Sequence, residues 1–167
     1  YTKTVLWCND NKAMIEDKCD WYEVVALPEE TLDEAGAAKL AELNTAFPPV
    51  SETAHCMSSA GFEINADETA NRNISSLIIA LEASTHKSVR FCAYDNSFHD
   101  VTLAQLKTMQ LEIIANAQAI YARKWVLREL INVAETVESL NAIVIDFDLG
   151  EDGSALYYAD WDVVGIM

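Results

Sequence analysis

The sequence predicts an α+β fold: short N-terminal strands and a helix, then a helix–β-hairpin–long-helix module, and a pair of C-terminal strands. Three observations predict this class. Residues 103–134 contain no Gly or Pro and repeat apolar residues every three or four positions, as a long amphipathic helix does. Two β-like runs flank Asp95-Asn96-Ser97, which indicates a hairpin turn. Further strand-like stretches lie near both ends of the chain.

The composition is that of an acidic globular protein. The 167 residues carry 11 Lys and Arg against 27 Asp and Glu, a net charge of −16, and 51% of the residues are hydrophobic. This apolar content supports a core and argues against wholesale disorder. The acidity argues against nucleic acid or an anionic membrane surface as a partner, because both attract Lys and Arg. Without a membrane-spanning apolar run or a secretion signal, the sequence predicts a soluble intracellular protein.

The N-terminal region, residues 1–61, is predicted to begin with two strands. In residues 1–8, Tyr1, Val5 and Trp7 alternate with Thr2, Thr4 and Leu6, a pattern typical of a strand. Residues 21–27 are rich in aromatic and β-branched side chains and form the second predicted strand. The two strands are expected to be adjacent or to form a hairpin.

A helix is predicted to follow these strands. Pro28 and the acidic residues after it are typical of a helix start. The helix is expected to end at Pro48-Pro49, because proline lacks the backbone N–H that a helix interior needs. Residues 48–61 lack any periodicity, so we predict a connector there.

Residues 62–143 are predicted to form the central module. Asn65 or Asp67 is a candidate N-cap for its first helix, and Thr102 is a candidate N-cap for the long helix over residues 103–134. The first helix carries one apolar stripe, made of Ala70, Ile74, Leu77, Ile78 and Leu81.

The long helix is apolar on two faces. The first face consists of Leu103, Leu106, Ile113, Ala117, Ile120, Leu127, Ile131 and Ala134, interrupted by Gln110 and Lys124. The second face includes Met109, Ile114, Tyr121, Trp125 and Leu130. A helix with two apolar faces must pack on both, either inside its own chain or against another subunit.

The sequence does not decide between packing inside the chain and packing against another subunit, and four residues are candidates for both. We predict that Leu106, Ile113, Ile120 and Leu127 are buried. The candidate oligomer or partner contacts are Leu106, Ile113, Ile120, Tyr121, Trp125 and Leu127.

The C-terminal region, residues 144–167, is predicted to form acidic strands. No Lys or Arg follows Arg128, whereas eight acidic residues lie from Glu135 onward. A short helix capped by Thr136 is expected first, then a strand over residues 143–149, a turn and a closing strand.

The sequence contains no pattern that indicates catalysis or metal binding. The phosphate-binding, dinucleotide-binding, serine-hydrolase and zinc-protease motifs are all missing from it. The acidic run from Asp146 does not match a calcium-binding loop, because Gly150 and Glu151 occupy the fifth and sixth positions. His55 and Cys56 are adjacent, but neighbouring side chains point apart, so a Cys/His nucleophile is not expected. We predict no catalytic residue, no cofactor and no metal.

The cysteines are predicted to be free thiols. They stand at positions 8, 19, 56 and 92 and form no Cys-x-x-Cys pair, which argues against a zinc ribbon or a redox pair. Without a secretion signal, an oxidising compartment is not expected either.

The central module resembles a small domain of unknown function found in proteins of tailed bacteriophages and prophages, where it is associated with tails or tail fibres. In that family a helix, a hairpin with an Asp-Asn turn and a long helix lead to an ending matched here by Ala134-Glu135-Thr136, Leu140 and Ile143. The sequence departs from the family at Phe91, where tryptophan is commoner, and after Ile143. The passages that carry the resemblance are residues 64–81, 89–106, 113–123 and 127–143.

This resemblance implies a structural component of a tailed-phage virion, such as a tail, tail-fibre or adaptor protein. Its partners would be other phage structural proteins and copies of itself, and its location the tail region, after synthesis in the host cytoplasm. The family has no established catalytic residues. Two alternatives remain: an assembly chaperone or acidic inhibitor of a host defence protein, and an enzyme that uses the acidic residues 146–152.

Overall fold

The computed structural model describes residues 4, 7, 8, 13–19, 21–26 and 29–148. Within them the strands form three separate antiparallel pairs, each made of two strands that are consecutive in the chain. The predicted α+β class is confirmed. The elements, in order, are β1 (Ala13–Asp17), β2 (Tyr22–Ala26), α1 (Leu32–Glu52), β3 (His55–Met57), β4 (Glu63–Asn65), α2 (Glu68–Glu82), β5 (Ser88–Cys92), β6 (Phe98–Thr102), α3 (Leu103–Val133) and α4 (Val137–Ala142).

A single hydrophobic core joins the helices from α1 to α4. The long helix α3 lies at its centre and packs against α1, α2, β3 and β6, while α4 packs on α1. Burial of these apolar side chains contributes about 25 cal/mol for each Å² removed from water, which is the main force holding the helices together. The most deeply buried side chains are Leu43, Ile64, Ile74, Val101, Leu106, Met109, Ile113, Leu127 and Leu140.

The central module follows the sequence prediction closely. Asp67 caps α2 by accepting a hydrogen bond from the Ala70 N–H at 2.9 Å. Thr102 caps α3, and its hydroxyl accepts from the Gln105 N–H at 3.3 Å while the Gln105 side chain accepts from the Thr102 N–H at 2.9 Å. The predicted caps and the hairpin between them are therefore confirmed.

The turn of the β5–β6 hairpin depends on Asn96. Its φ of 65° lies in the left-handed region, which asparagine tolerates better than most residues. The Ala93 N–H donates to the Ser97 carbonyl at 2.9 Å, and the Ser97 N–H donates to Asp95 Oδ1 at 2.9 Å. These bonds close the turn around the strained residue.

Replacing Asn96 should therefore test the turn directly. We expect Asn96→Val to lower the free energy of unfolding by about 1–2 kcal/mol, because a β-branched residue disfavours positive φ. Asn96→Gly should be neutral or slightly stabilising, since glycine adopts this conformation freely. Urea unfolding followed by circular dichroism measures both, and equal midpoints for the two variants would contradict the assignment.

The first helix differs from its prediction at both ends. It begins after Thr31 rather than at Pro28, because Thr31 and Glu34 form a reciprocal capping box with N–H to oxygen distances of 3.2 and 3.0 Å. It also continues through Pro48 and Pro49 to Glu52, so the predicted end is wrong.

Helix α1 tolerates Pro48 and Pro49 because the two backbone hydrogen bonds that they remove lie on its exposed side. In a helix their missing N–H groups would bond the carbonyls of Asn44 and Thr45, and both residues are exposed, so water can satisfy these carbonyls. Phe47 is buried and Val50 packs against the core, so burial on either side of the prolines favours continuing the helix.

The predicted connector over residues 48–61 is also wrong. It contains the end of α1, all of β3 and the turn that joins β3 to β4. In this turn the Ser58 N–H donates to the Phe62 carbonyl at 3.0 Å, and the Gly61 N–H donates to the Ser58 carbonyl at 2.9 Å. Gly61 has a φ of 93°, which a glycine adopts without strain. Strands of three residues are too short for periodicity to reveal them.

The N-terminal elements confirm one predicted strand and contradict the other. Residues 4, 7 and 8 are helical, so the strand predicted over residues 1–8 is wrong at every described position. The second predicted strand is present as β2, but it pairs with β1, from Ala13 opposite Ala26 to Asp17 opposite Tyr22. Alternation over a few residues does not distinguish a strand from a short helix, which explains the error.

The end of the described chain packs into the core without forming a strand. Thr136 caps α4 as predicted. Residues 143–148 are not part of any strand, so the prediction for residues 143–149 is wrong at these positions. Phe147 instead packs against Phe47, with ring centroids 5.9 Å apart. The predicted closing strand lies outside the described residues.

Candidate interaction surface

The two apolar faces of α3 have different environments. Leu106, Ile113, Ile120 and Leu127 are between 0% and 5% exposed, which confirms their predicted burial. These four residues pack in the hydrophobic core of the same chain. Of the six predicted contact residues, Tyr121 and Trp125 are the exposed ones, and a contact with another subunit stays a prediction.

These two residues belong to an apolar stripe on the outside of α3, which the exposed Gln118 interrupts near its middle. The outer stripe consists of Leu111, Ile114, Tyr121 and Trp125, which are 67%, 39%, 52% and 58% exposed. At 3.6 residues per turn they fall within a sector of about 80° and extend over about 21 Å. Met109 was predicted on this side but is fully buried. Leu111 was missed, although its spacing of three from Ile114 was a usable signal.

The aromatic end of the outer stripe is supported by α1. The rings of Tyr121 and Phe47 are 4.9 Å apart, and the Lys124 ammonium lies 4.0 Å from the Phe47 centroid. The Arg128 guanidinium lies 5.4 Å from the Trp125 ring centre. Cations at these distances are attracted to the ring faces and hold the aromatic groups in place.

The long helix is basic in a strongly acidic chain. It carries Lys107, Arg123, Lys124 and Arg128 but, among acids, only the two glutamates at 112 and 129. The Lys107 ammonium pairs with the Glu82 carboxylate at 2.6 Å, close to the N-terminal end of the outer stripe. The chain as a whole has a net charge of −16. The helix itself therefore carries more positive than negative charge, with Lys107 before the outer stripe and Arg128 and Glu129 after it.

The histidines at 55 and 99 connect the two central hairpins. His55 Nδ1 lies 2.6 Å from Glu63 Oε1, and its ring stacks on Tyr94 with centroids 4.3 Å apart. The His99 ring stacks on Phe62 at 3.9 Å. These contacts join β3–β4 to β5–β6, and the Tyr94 N–H adds a hydrogen bond to the Glu63 carbonyl at 2.9 Å.

A serine beside His99 forms the nearest approach to a catalytic pair. Ser97 Oγ lies 2.8 Å from His99 Nε2, within the range of a nucleophile and its base. The nearby Asp95 carboxylate accepts a hydrogen bond from the Ser97 N–H, which belongs to the turn. Hydrogen bonds from Ser97 lower the pKa of Asp95, consistent with its role in the turn. The hydrogen bonds of Ser97 with Asp95 and His99 therefore stabilise the hairpin turn.

Cys56 does not have the properties of a nucleophile. Burial raises the pKa of its thiol to about 11, and the nearby charges of Glu112 and Glu63 act in the same direction. Because the thiolate is the reactive form, Cys56 is almost entirely unreactive at neutral pH. The adjacent His55 engages Glu63 instead.

The cysteines should differ in their reactivity. All four are free, as predicted, with Cys19 and Cys92 exposed and Cys56 partly buried. We expect alkylation of denatured protein to modify four thiols. In the folded protein at pH 8, mass spectrometry of the peptides should show modification of Cys19 and Cys92 well before Cys56. Equal rates at Cys56 and Cys19 would contradict the raised pKa.

Glu112 attaches the β3–β4 turn to the long helix. Its carboxylate accepts hydrogen bonds from Ser58 Oγ at 2.7 Å and from the Ser59 N–H at 2.9 Å. Burial alone would raise the pKa of Glu112, but the hydrogen bonds from Ser59 and Ser58 outweigh it, so the pKa is lowered. Ser58 is 2% exposed, so its hydroxyl depends on this partner.

Glu112 should therefore make stability depend on pH. A carboxyl whose pKa is lower in the folded state stabilises the protein above its ordinary value of 4.5 and loses that contribution as the pH falls. We expect Glu112→Gln to lower the free energy of unfolding by about 1 kcal/mol at pH 7. Urea titrations should show this difference shrinking between pH 5 and pH 3, and a constant difference would contradict the ionic contribution.

Other features of the described residues offer little for a ligand. A cleft of about 220 Å³ lies between α2 and β5, where Leu77, Arg90 and Phe91 line it. Pockets that bind small molecules are usually larger, about 300–1,000 Å³. Within the described ranges no three His, Cys, Asp or Glu side chains are grouped to hold a metal ion. None of the described helices combines the length and apolarity needed to cross a bilayer.

A family model described as Domain of unknown function (DUF4376) matches residues 34–147. The match covers more than half of the chain, and the chain belongs to this family. A search of curated proteins found no match, and a search of solved structures found none. The matched region begins inside α1 and ends at Phe147, so it includes the outer stripe and leaves β1 and β2 outside.

Proposed function

We propose that this protein is a non-enzymatic structural component of a tailed-bacteriophage virion, acting through protein–protein contacts. The observation that supports this proposal is the outer stripe of α3, whose four large apolar residues are 39% to 67% exposed. Large exposed apolar side chains that share one helix face are typical of a contact site. The phage setting rests on the resemblance of residues 64–143 to tail-associated and tail-fibre-associated phage proteins.

The use of the polar side chains also favours a structural role. Glu112 binds the β3–β4 turn, His55 pairs with Glu63, and Ser97 belongs to the β5–β6 turn. Each of these groups thus has a structural partner within the chain. Under this proposal the protein is located in the tail region of the particle, and its partners are other phage structural proteins and copies of itself.

Mass spectrometry of purified particles would test this proposal. Particles banded on a density gradient should contain this protein at a constant ratio to the major structural proteins. The ratio should persist after a high-salt wash, which removes loosely bound acidic proteins. Abundant protein in the lysate with none in the washed particles would contradict a virion role.

A second candidate is an assembly chaperone or an acidic inhibitor of a host defence protein. It is favoured by the net charge of −16, because a strongly acidic surface can occupy a basic site made for a polyanion. Residues 1–68 alone hold 14 acidic residues against four lysines. Absence from particles, together with salt-sensitive binding to one basic host protein, would support this second function.

A further inference from the structure

We propose that the outer stripe of α3 binds the same stripe of a second copy, with the two helices antiparallel about a two-fold axis near residue 118. This inference rests on the proposed function as a protein-contact module and names the partner of that surface.

The spacing of the outer stripe suits a two-fold contact. Gln118, an exposed polar residue within the stripe, lies midway between Leu111 and Trp125, the first and last members of the stripe. An antiparallel pair centred there places Leu111 of one copy against Trp125 of the other, and Ile114 beside Tyr121. The same patch then covers itself on both copies, as a two-fold interface requires. All four apolar side chains are removed from water together.

The charges beside the stripe select the antiparallel arrangement. Lys107 lies four residues before Leu111, and Glu129 lies four residues after Trp125, so both extend the line of the stripe. Lys107 already pairs with Glu82 of its own chain. Around an axis at residue 118, Glu129 of the second copy faces Lys107 and would be a second carboxylate beside the same ammonium. A parallel pair would instead bring Lys107 against Lys107 and Arg128 against Arg128, and such like charges repel.

The charge of the whole chain also favours contact at this helix. Two chains of net charge −16 repel each other wherever their acidic surfaces meet. The long helix has four basic and two acidic residues, whereas α1 carries Asp33, Glu34, Glu42 and Glu52 against Lys39. Contact through α3 therefore places a helix of net positive charge at the interface between two acidic chains.

Sedimentation velocity over a range of about 5 to 500 µM would test the pairing, since a short helix contact is expected to have micromolar affinity. The parent chain should change from monomer to dimer within this range. Leu111→Asp should remain monomeric, because it places a carboxylate against the apolar ring of Trp125 of the second copy. Val144→Asp is the matched control: Val144 is 73% exposed but lies outside the stripe, and this variant should dimerise like the parent.

Charge exchange would test the antiparallel arrangement. Glu129→Lys should weaken the dimer by about tenfold or more, because it sets a lysine against Lys107 of the second copy. Because Lys107 also pairs with Glu82, the exchange is made in a Glu82→Gln chain. In that chain the double variant Lys107→Glu with Glu129→Lys should recover the affinity of Glu82→Gln alone, since the pair is restored with its signs exchanged. The affinity of a parallel dimer should change little in either variant. In such a dimer each residue faces the same residue of the other copy, so like charges meet before and after the exchange.

Several results would overturn this inference. A monomer at every concentration, a dimer that survives Leu111→Asp with an unchanged melting curve, or a dimer indifferent to Glu129→Lys would each do so. A monomer whose Trp125 fluorescence, measured with the other tryptophans replaced by Phe, is shielded from acrylamide would mean that the same chain covers the stripe. A monomer that is nevertheless present in washed particles would remove this inference and leave the proposed function standing. A protein that dimerises as expected but is absent from washed particles would support this inference and contradict the proposed virion role.

Discussion

Replacing Ile120 with Asp should lower the free energy of unfolding by about 3–5 kcal/mol, because it leaves an unpaired carboxylate in the core. Ile120 is 5% exposed and lies near the middle of α3, the helix against which α1 and α2 pack. A loss of this size is a large part of the stability of an ordinary domain, so much of the variant should be unfolded at 37 °C. Thermal and urea unfolding at low protein concentration measure the effect.

The control for this variant is Leu111→Asp on the same helix. Leu111 is 67% exposed, so its carboxylate would remain in water, and stability should change by less than about 1 kcal/mol. The two variants thus separate the buried face of α3 from the outer stripe. If Ile120→Asp melts within a degree or two of the parent, the assignment of the buried face is wrong.

Replacing Leu43 with Ala should lower the free energy of unfolding by about 2–5 kcal/mol, the usual cost of removing a buried leucine side chain. Leu43 lies on α1 and is 1% exposed in the core that α1 shares with α3. Leu32, on the same helix and 38% exposed, provides the control, and Leu32→Ala should cost less than about 1 kcal/mol.

This pair of variants tests whether α1 belongs to the folding unit. The resemblance seen in the sequence begins at residue 64, whereas the family match begins at residue 34, within α1. A cost below about 1 kcal/mol for Leu43→Ala would mean that α1 is only loosely attached. The domain boundaries predicted near residues 61 and 143 remain predictions until such a measurement is made.

The parts of the fold that could be predicted from the sequence are those with local signals. Asp67 and Thr102 supply side-chain oxygens to helix N-termini, and Asp95 and Asn96 have the chemistry of a tight turn. These effects depend on residues within three or four positions, so they can be recognised without knowing the fold. The central module was predicted well for this reason.

The parts that could not be predicted depend on distant contacts. α1 passes through Pro48 and Pro49 because Phe47 is buried against partners far along the chain, including Phe147. The β3–β4 turn is held by Glu112, 54 residues after Ser58. No local pattern reports such interactions, and tertiary packing overrides the proline signal.

The interaction surface was predicted in part. Apolar spacing identified both faces of α3, but it could not show which face the rest of the chain covers. Leu106 and Tyr121 were therefore proposed together as contacts, although the first is fully buried and the second is 52% exposed. Burial is a property of the packed molecule, so this distinction required the structure.

The pairing of each strand with its neighbour in the chain affects how the protein folds. In every described sheet a short loop joins the two strands, such as the loop between Cys92 and Phe98. Strand pairing therefore requires little loss of chain entropy. Proteins dominated by such local contacts have a low contact order and fold quickly. The long-range contacts include the docking of α1 on α3 and of α4 on α1, the contact of Phe47 with Phe147 and the hydrogen bonds of Glu112. We therefore expect the slow step of folding to be the assembly of the helices and hairpins rather than the search for a strand partner.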